Sequence, residues 1–163
     1  MVKPDCQEFK SGRVFLHRLP SGDDPASVIA KFCREEGIQT ATFVLSGVLS
    51  TVTLGVYDPQ QQVYVTHTEE TATEILSCAG DVSFKNETPY IHATLVLADT
   101  SGRLLGGRLF SPSQIFSIEM TLRELSGQPL YRTYDPGTGL DLWPPRRLPP
   151  PSNIGREEME GNE

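Results

Sequence analysis

The sequence lacks the features that define several large classes of protein. Its 163 residues contain no apolar run that approaches the roughly eighteen residues of a membrane helix. The stretch from Met1 to Asp5 has no apolar segment of the kind found in signal peptides. Cys6, Cys33 and Cys78 form no CxxC pair and no Cys/His cluster, which excludes a zinc knuckle. We therefore expect a cytoplasmic, soluble domain that makes no membrane contact and keeps its cysteines as buried thiols.

Positive charge is also scarce. The chain has 14 Lys and Arg residues against 21 Asp and Glu residues, and its formal net charge is −7. A domain that binds nucleic acid by itself usually carries a basic surface, because binding releases counterions from the phosphates. The basic residues are scattered singly here, apart from Arg146-Arg147. This balance disfavours direct DNA binding.

The chain contains one clear helix signal, followed by a series of strand patterns. Asp24 followed by Pro25 predicts a helix start, apolar residues recur at helical spacing as far as Cys33, and Gly37 is typical of a C-terminal cap. Alternating or β-branched segments separated by turns predict strands at 9–19, 40–56, 62–68, 73–84, 90–98, 103–110 and 114–125, with a short edge strand at 130–134.

This order of elements predicts an α+β domain. One main helix and about seven strands joined by tight turns favour a mostly antiparallel sheet with helical cover. We assign the domain to residues 1–143 and expect Trp143 to fold back onto it. Residues 144–163 are rich in proline and then in acidic residues, which predicts a flexible tail.

Four stretches in a particular order give the sequence a family resemblance. They are residues 18–24 before the helix, residues 37–49 ending in Ser-Gly-Val-Leu, residues 73–80 with the pattern EIL-S-x-x-G, and residues 89–94 followed by 102–109. With these four stretches, the chain resembles the PPC (plants and prokaryotes conserved) family over residues 8–125. The resemblance implies an antiparallel sheet flanked by helices, a homotrimer, and a role loosely described as DNA-binding or transcription-associated. The basic AT-hook segment of plant members does not occur in this sequence.

The resemblance also identifies the positions of a metal site in several prokaryotic members, where an HxH…GGH pattern supplies three histidines. The corresponding residues here are Tyr90, His92 and Arg108, so a single histidine remains. One neutral imidazole cannot hold zinc, and a neighbouring cationic Arg108 would repel it. We expect no metal and no other cofactor.

The altered positions form a candidate ligand site. His92 and Arg108 are expected on neighbouring strands, facing one pocket together with Gly106, Gly107 and Glu74. An arginine binds a carboxylate or a phosphate bidentately, and a histidine adds a hydrogen-bond donor or a proton-transfer group. The alternative is structural: Arg108 pairs with a carboxylate such as Glu74 across a subunit contact, and the glycines mark a bulge or a close backbone approach at a trimer axis.

Three functions follow from these observations. The first is a non-catalytic, homotrimeric regulatory or interaction module that contacts itself and a protein partner, with any DNA role weak or indirect. The second is direct DNA binding by a basic surface that assembly creates, for example from Arg13, Arg18 and Lys85 of three chains. The third is an anion-binding protein or enzyme that uses a His92/Arg108 pocket at a subunit boundary.

The first function is favoured because no catalytic set is visible and the chain is acidic. Whether any reaction is catalysed stays open at this point. Residues 90–98 and 115–122 have more apolar positions than one face of a sheet needs. We therefore expect part of that surface to be buried between subunits.

Overall fold

The α-helix α1 spans Pro25–Glu36 and begins and ends where its capping residues predict. The Asp24 carboxylate accepts a hydrogen bond from the Ser27 N–H at 3.0 Å, and proline occupies the first helical position. Gly37 adopts φ 69°, the left-handed conformation of a C-terminal cap. Ile29 and Cys33 are buried, so the apolar face of the helix points into the core.

The computed structural model describes residues 6–144 and contains eight strands in that range. They are β1 Lys10–Leu19, β2 Ala41–Asp58, β3 Val63–Glu69, β4 Thr73–Lys85, β5 Thr88–Ala98, β6 Leu104–Ser126, β7 Thr133–Asp135 and β8 Leu140–Leu142. The main sheet has the order β1-β6-β5-β4-β2-β3, and β7 and β8 form a separate two-stranded sheet. All of these strand pairings are antiparallel. The prediction of a mostly antiparallel α+β domain is confirmed.

Two of the predicted strand boundaries were wrong. The strands expected at 103–110 and 114–125 are one continuous strand of 23 residues, β6, which accommodates Pro112 through register shifts against β2. The short edge strand expected at 130–134 is divided: Tyr131 forms a parallel bridge with Phe84 at the edge of β4, and a separate strand that begins at Thr133 pairs with β8. Proline is tolerated within β6 because it lies at a bulge, where its missing N–H is not needed for a hydrogen bond between strands.

The main sheet closes on itself through β2 and β6. Strand β2 pairs with β6 from Ala41 to Gly55 and, over Ala41–Leu49, also with β4 on its other edge. Because β4 pairs with β5 and β5 pairs with β6, the four strands form a ring. Strand β1 extends β6 and β3 extends β2 beyond this ring.

Alternate residues of the strands fill the core. On β5, Ala93, Leu95 and Leu97 are buried, and on β6 the buried set includes Ile118 and Met120. Helix α1 lies against β5 and β6, and its Phe32 ring contacts the aromatic rings of Phe15 and His17 on β1. The residues that alternate with the core therefore form an outer face, which α1 does not cover.

The cysteines differ in exposure. Cys33 is buried in the core, where loss of solvation raises the pKa of its thiol to about 12. Cys78 is half-buried, and burial likewise raises the pKa of its thiol. Cys6 is exposed, because it precedes β1, so the expectation of buried thiols was wrong for this residue.

Further observations concern the helix content and the C-terminal end of the domain. Within residues 6–144, no helix has the length and hydropathy that crossing a bilayer requires. Trp143 folds back as expected, with its ring 4.9 Å from the Arg132 guanidinium carbon. The predicted proline-rich and acidic tail lies outside the described residues from 145 onward, and the domain boundary stays a prediction.

Candidate functional site

His92 and Arg108 lie on one face of neighbouring strands, as predicted. Arg108 on β6 is directly opposite Thr94 on β5, and residues two apart on a strand share a face. His92 and Tyr90 therefore point to the same side as Arg108, which is the outer face of the ring. An Arg108 Nη2–H donates to the Tyr90 hydroxyl at 2.6 Å. The structure thus brings together the three positions that the family resemblance singled out.

Aromatic rings surround the Arg108 guanidinium. Its Cζ lies 5.1 Å from the Tyr64 ring centroid, 5.4 Å from that of Tyr90 and 5.0 Å from that of Phe110. Arginine stays protonated in proteins, so this is a permanent cation held by cation–π contacts. Among residues 6–144, no carboxylate lies within ion-pair distance of it, and its Nε is buried without a hydrogen-bond partner. The charge of Arg108 is therefore uncompensated by the part of the chain described.

His92 is oriented by a carboxylate that sequence reasoning did not identify. Its Nδ1 lies 3.1 Å from Asp81 Oδ2, and Asp81 is directly opposite His92 in the pairing of β4 with β5. The second oxygen of Asp81 accepts a hydrogen bond from Arg132 at 2.8 Å. Burial works to raise the pKa of Asp81, but the hydrogen bonds from His92 and Arg132 outweigh it and lower this pKa below its usual value.

A hairpin made of β7 and β8 closes one side of the site. Arg132, which precedes β7, also donates to Ser83 Oγ and to the Asp141 carbonyl. Lys85 pairs with the Asp141 carboxylate at 2.6 Å. The hairpin turn is tied to the β2–β3 turn, because Tyr57 donates to the Thr138 carbonyl and the Gln62 amide donates to the Gly137 carbonyl.

Few sequence signals would have revealed these additional residues. Asp81 is an acidic residue inside an otherwise apolar strand pattern, which is a signal for a partnered carboxylate. Whether Tyr64, Phe110 and Arg132 reach the site depends on the register of strands that are far apart in sequence.

Glu74 does not belong to this site. It lies opposite Ala98 on β5, whereas Asp81 lies opposite His92. Asp81 is seven positions further along β4 than Glu74, which corresponds to about 23 Å. The expectations that Glu74 shares a pocket with His92, or pairs with Arg108 within one chain, are therefore not met. A contact between subunits stays a prediction.

The two glycines before Arg108 have different surroundings. A Cβ on Gly107 would lie 2.8 Å from the carbonyl oxygen of Gly55, so this glycine permits a close approach of β6 to β2. Gly106 is exposed, and a Cβ there would meet only the Leu95 carbonyl oxygen at 3.4 Å. The close backbone approach at Gly107 thus occurs between two strands of one chain, whereas the sequence-based alternative placed it at a trimer axis.

The residues at the family's metal positions do not fit a metal ion. Arg108 stands at one of these positions and brings a positive charge in place of a ligand lone pair. Tyr90 already accepts a hydrogen bond from that guanidinium. Within residues 6–144, no three His, Cys, Asp or Glu side chains are grouped so that they could bind a metal. Metal chemistry therefore has no donor set at this position.

The hydrogen bonds to Asp81 predict a loss of stability at low pH. Because its folded-state pKa is lowered, its stabilisation is present above the usual carboxyl pKa and lost as the pH falls through the folded value. Asp81→Asn should lower the free energy of unfolding by about 2 kcal/mol at pH 7, since it leaves the buried Arg132 without its carboxylate. The free energy of unfolding of this variant should also fall less steeply as the pH is lowered, measured by urea unfolding between pH 7 and pH 3. As a control, Glu35→Gln alters the Lys31–Glu35 ion pair, whose side chains are 71% and 63% exposed, and should cost less. Equal losses in the two variants would contradict this account.

Comparison with known proteins identifies the family. A family model described as the Plants and Prokaryotes Conserved (PCC) domain matches residues 6–126. A search of the curated proteins found no match. Among solved structures, a plant- and prokaryote-conserved (PPC) protein of Pyrococcus horikoshii is 32% identical with a TM-score of 0.82, and the match covers 91% of this chain and 100% of that one.

Two further solved structures are similar. A metal-containing protein of Archaeoglobus fulgidus is 37% identical with a TM-score of 0.80, and the match covers 83% of this chain and 96% of that one. A protein of Ralstonia eutropha, provisionally named as DNA-binding, is 28% identical with a TM-score of 0.71, and the match covers 82% of this chain and 90% of that one. With a family model over most of its length and relatives above 30% identity, the chain belongs to the Plants and Prokaryotes Conserved domain family.

Proposed function

We propose that the protein is a non-catalytic, homotrimeric regulatory or interaction module. The observation that carries this proposal is a surface on the outer face of the sheet, which we call the outer-face patch. It consists of seven exposed residues without formal charge: Leu16, Val44, Ser77, Ala79, Thr94, Val96 and Thr121.

Strand pairing makes the outer-face patch continuous. Thr121 on β6 is opposite Leu16 on one side and Val44 on the other. Across β4 and β5, Ala79 is opposite Thr94 and Ser77 is opposite Val96. Leu16 is 83% exposed, Val44 52% and Val96 43%. An uncharged surface that exposes Leu16, Val44 and Val96 in this way is typical of an interaction site, and the family resemblance implies a trimer.

A DNA role for this module is proposed to be weak or indirect. Of the three basic residues that assembly was expected to combine, two already have acidic partners in the same chain. Arg13 pairs with Glu124 at 2.7 Å and with Glu36 at 3.3 Å, and Lys85 pairs with Asp141 at 2.6 Å. Arg18, the third of these residues, has no ion pair within residues 6–144. These ion pairs and the net charge of −7 reduce the positive charge that is available to phosphates.

The outer-face patch can be tested by introducing a charge. Val44→Glu places a carboxylate in the centre of the patch, and burying it between subunits would be costly. We expect the wild-type protein to sediment as a trimer and Val44→Glu as a monomer at the same micromolar concentration. Val65→Glu is the matched control, because Val65 is 59% exposed on β3, outside the patch. A wild-type monomer, or a trimer that survives Val44→Glu, would contradict the proposal.

The DNA role can be tested by fluorescence anisotropy with a labelled duplex. At about 50 mM salt we expect no complex below about 1 µM protein, the tight end of ordinary non-specific binding. Glu124→Gln removes the nearer of the two acidic partners of Arg13 and serves as a comparison with more available positive charge. Sub-micromolar wild-type binding that collapses at about 200 mM salt would instead show that the assembled protein has a basic face.

A second function is favoured by the uncompensated charge of Arg108. We propose that the His92/Arg108 site binds a small anion at a subunit boundary. Thr94 belongs to the outer-face patch and lies directly opposite Arg108, so copies that associate through the patch would meet beside the site. An anion would supply the negative charge that the described part of the chain does not provide, with two parallel hydrogen bonds from the guanidinium.

Propionate is a suitable probe for this second function, since it is a simple carboxylate with a short apolar chain. Calorimetric titration of the wild-type protein should show binding, and Arg108→Gln should weaken it by at least about tenfold, because the charged donor is lost. Arg103→Gln is the control, because Arg103 is an exposed arginine engaged with Asp99 and Glu69. Equal affinities in wild type and Arg108→Gln would place the anion elsewhere.

A further inference from the structure

The hydrogen-bond roles of three side chains restrict what the His92/Arg108 site can bind. This inference rests on the second proposed function, that the site binds a small anion. Arg108 donates to the Tyr90 hydroxyl, so the Tyr90 oxygen acts as an acceptor in that contact. The hydroxyl hydrogen of Tyr90 is then left to donate to another group. Arg108 and Tyr90 together present donors to a ligand.

His92 has the opposite role. Asp81 is held by Arg132 as an ionised carboxylate, which can only accept hydrogen bonds. The His92 nitrogen that contacts it, Nδ1, must therefore carry the hydrogen. In the neutral imidazole, Nε2 then has a lone pair and acts as an acceptor. Within residues 6–144, Nε2 has no hydrogen-bond partner, since Nδ1 makes the single contact of this side chain.

The site thus offers donors and one acceptor on the same face. His92 is a diagonal neighbour of Arg108 across the β5–β6 pair, a relationship that separates Cα atoms by about 7–8 Å. The long side chain of Arg108 can bridge part of that distance. A ligand that satisfies both ends needs an anionic group for Arg108 and Tyr90 and, next to it, a hydrogen-bond donor for His92 Nε2.

Ligands with an ammonium group and inorganic phosphate meet this requirement less well than a hydroxy acid does. Ammonium groups, as in amino acids, would enter a cluster in which Lys85, Arg108 and Arg132 outnumber the carboxylates of Asp81 and Asp141. Inorganic phosphate has no carbon to place beside the aromatic rings of Tyr64 and Phe110. A neutral hydroxyl adjacent to a carboxylate has neither disadvantage.

We propose that the His92/Arg108 site recognises a small 2-hydroxycarboxylate. The carboxylate accepts hydrogen bonds from Arg108 and Tyr90, and the 2-hydroxyl donates to His92 Nε2. His92 selects for the hydroxyl, and Asp81 is a positioning residue that keeps the lone pair of His92 directed at the ligand. The binding involves no covalent step.

Lactate and propionate test this proposal, because they share a carbon skeleton and differ only in the 2-hydroxyl. Calorimetry on the full-length protein should give lactate an affinity about fivefold or more above that of propionate, the worth of one hydrogen bond. His92→Phe should abolish this preference while propionate binding persists. Arg108→Gln should weaken the binding of both acids by at least about tenfold, and Arg103→Gln should change neither. Thermal melts establish that each variant is folded.

Nuclear magnetic resonance of the imidazole nitrogens provides a second readout, since the chain has three histidines. Saturating lactate should shift the Nε2 resonance of His92 and leave those of His17 and His67 in place. If lactate and propionate bind with equal affinity and Arg108→Gln weakens both, selection for the hydroxyl is overturned while the anion site itself is supported. Absence of binding for both acids, or binding unchanged by Arg108→Gln, would overturn the anion site itself.

Discussion

The pairing of β2 with β6 is the constraint on which the rest of the structure depends. It runs from Ala41–Glu124 to Gly55–Arg108, and every other strand of the main sheet attaches to one of these two or to their neighbours. Closure of the ring gives the sheet an inner side filled by apolar residues and an outer side that is open to partners. It also determines which residues surround Arg108, because the Phe110 ring lies against Gly55, where a Cβ would come within 2.5 Å of it.

The candidate site shows how a cation can occupy a position suited to a metal ligand set. A metal-binding histidine is normally oriented by a carboxylate that accepts from its second nitrogen, and His92 has this arrangement with Asp81. Its two companions are a guanidinium and a phenol, which present hydrogen bonds to each other rather than lone pairs to a metal. These residues therefore present a cation and not a set of metal ligands.

The distribution of charge separates the proposed roles of the two surfaces. Most of the arginines and lysines in ion pairs hold parts of the fold together, as Arg132 holds the β7–β8 segment to β4 through Asp81. They are therefore poorly available for a polyanion such as DNA. Arg108 differs, because aromatic rings rather than carboxylates surround it. A local site for a small anion is compatible with an acidic chain, whereas the net charge disfavours an extended basic surface.

The sequence by itself determined the helix and most strand positions, and the family resemblance singled out Tyr90, His92 and Arg108 at the centre of the candidate site. Capping at Asp24 and Gly37 is local chemistry, and alternation along β5 already predicts which side chains share a face. Tertiary structure alone decided the register: it joined Asp81 to His92, separated Glu74 from both, and placed Tyr64 and Phe110 around Arg108. The physical reason is that local patterns set the face of each residue, while strand register depends on packing and bulges between segments far apart in the chain.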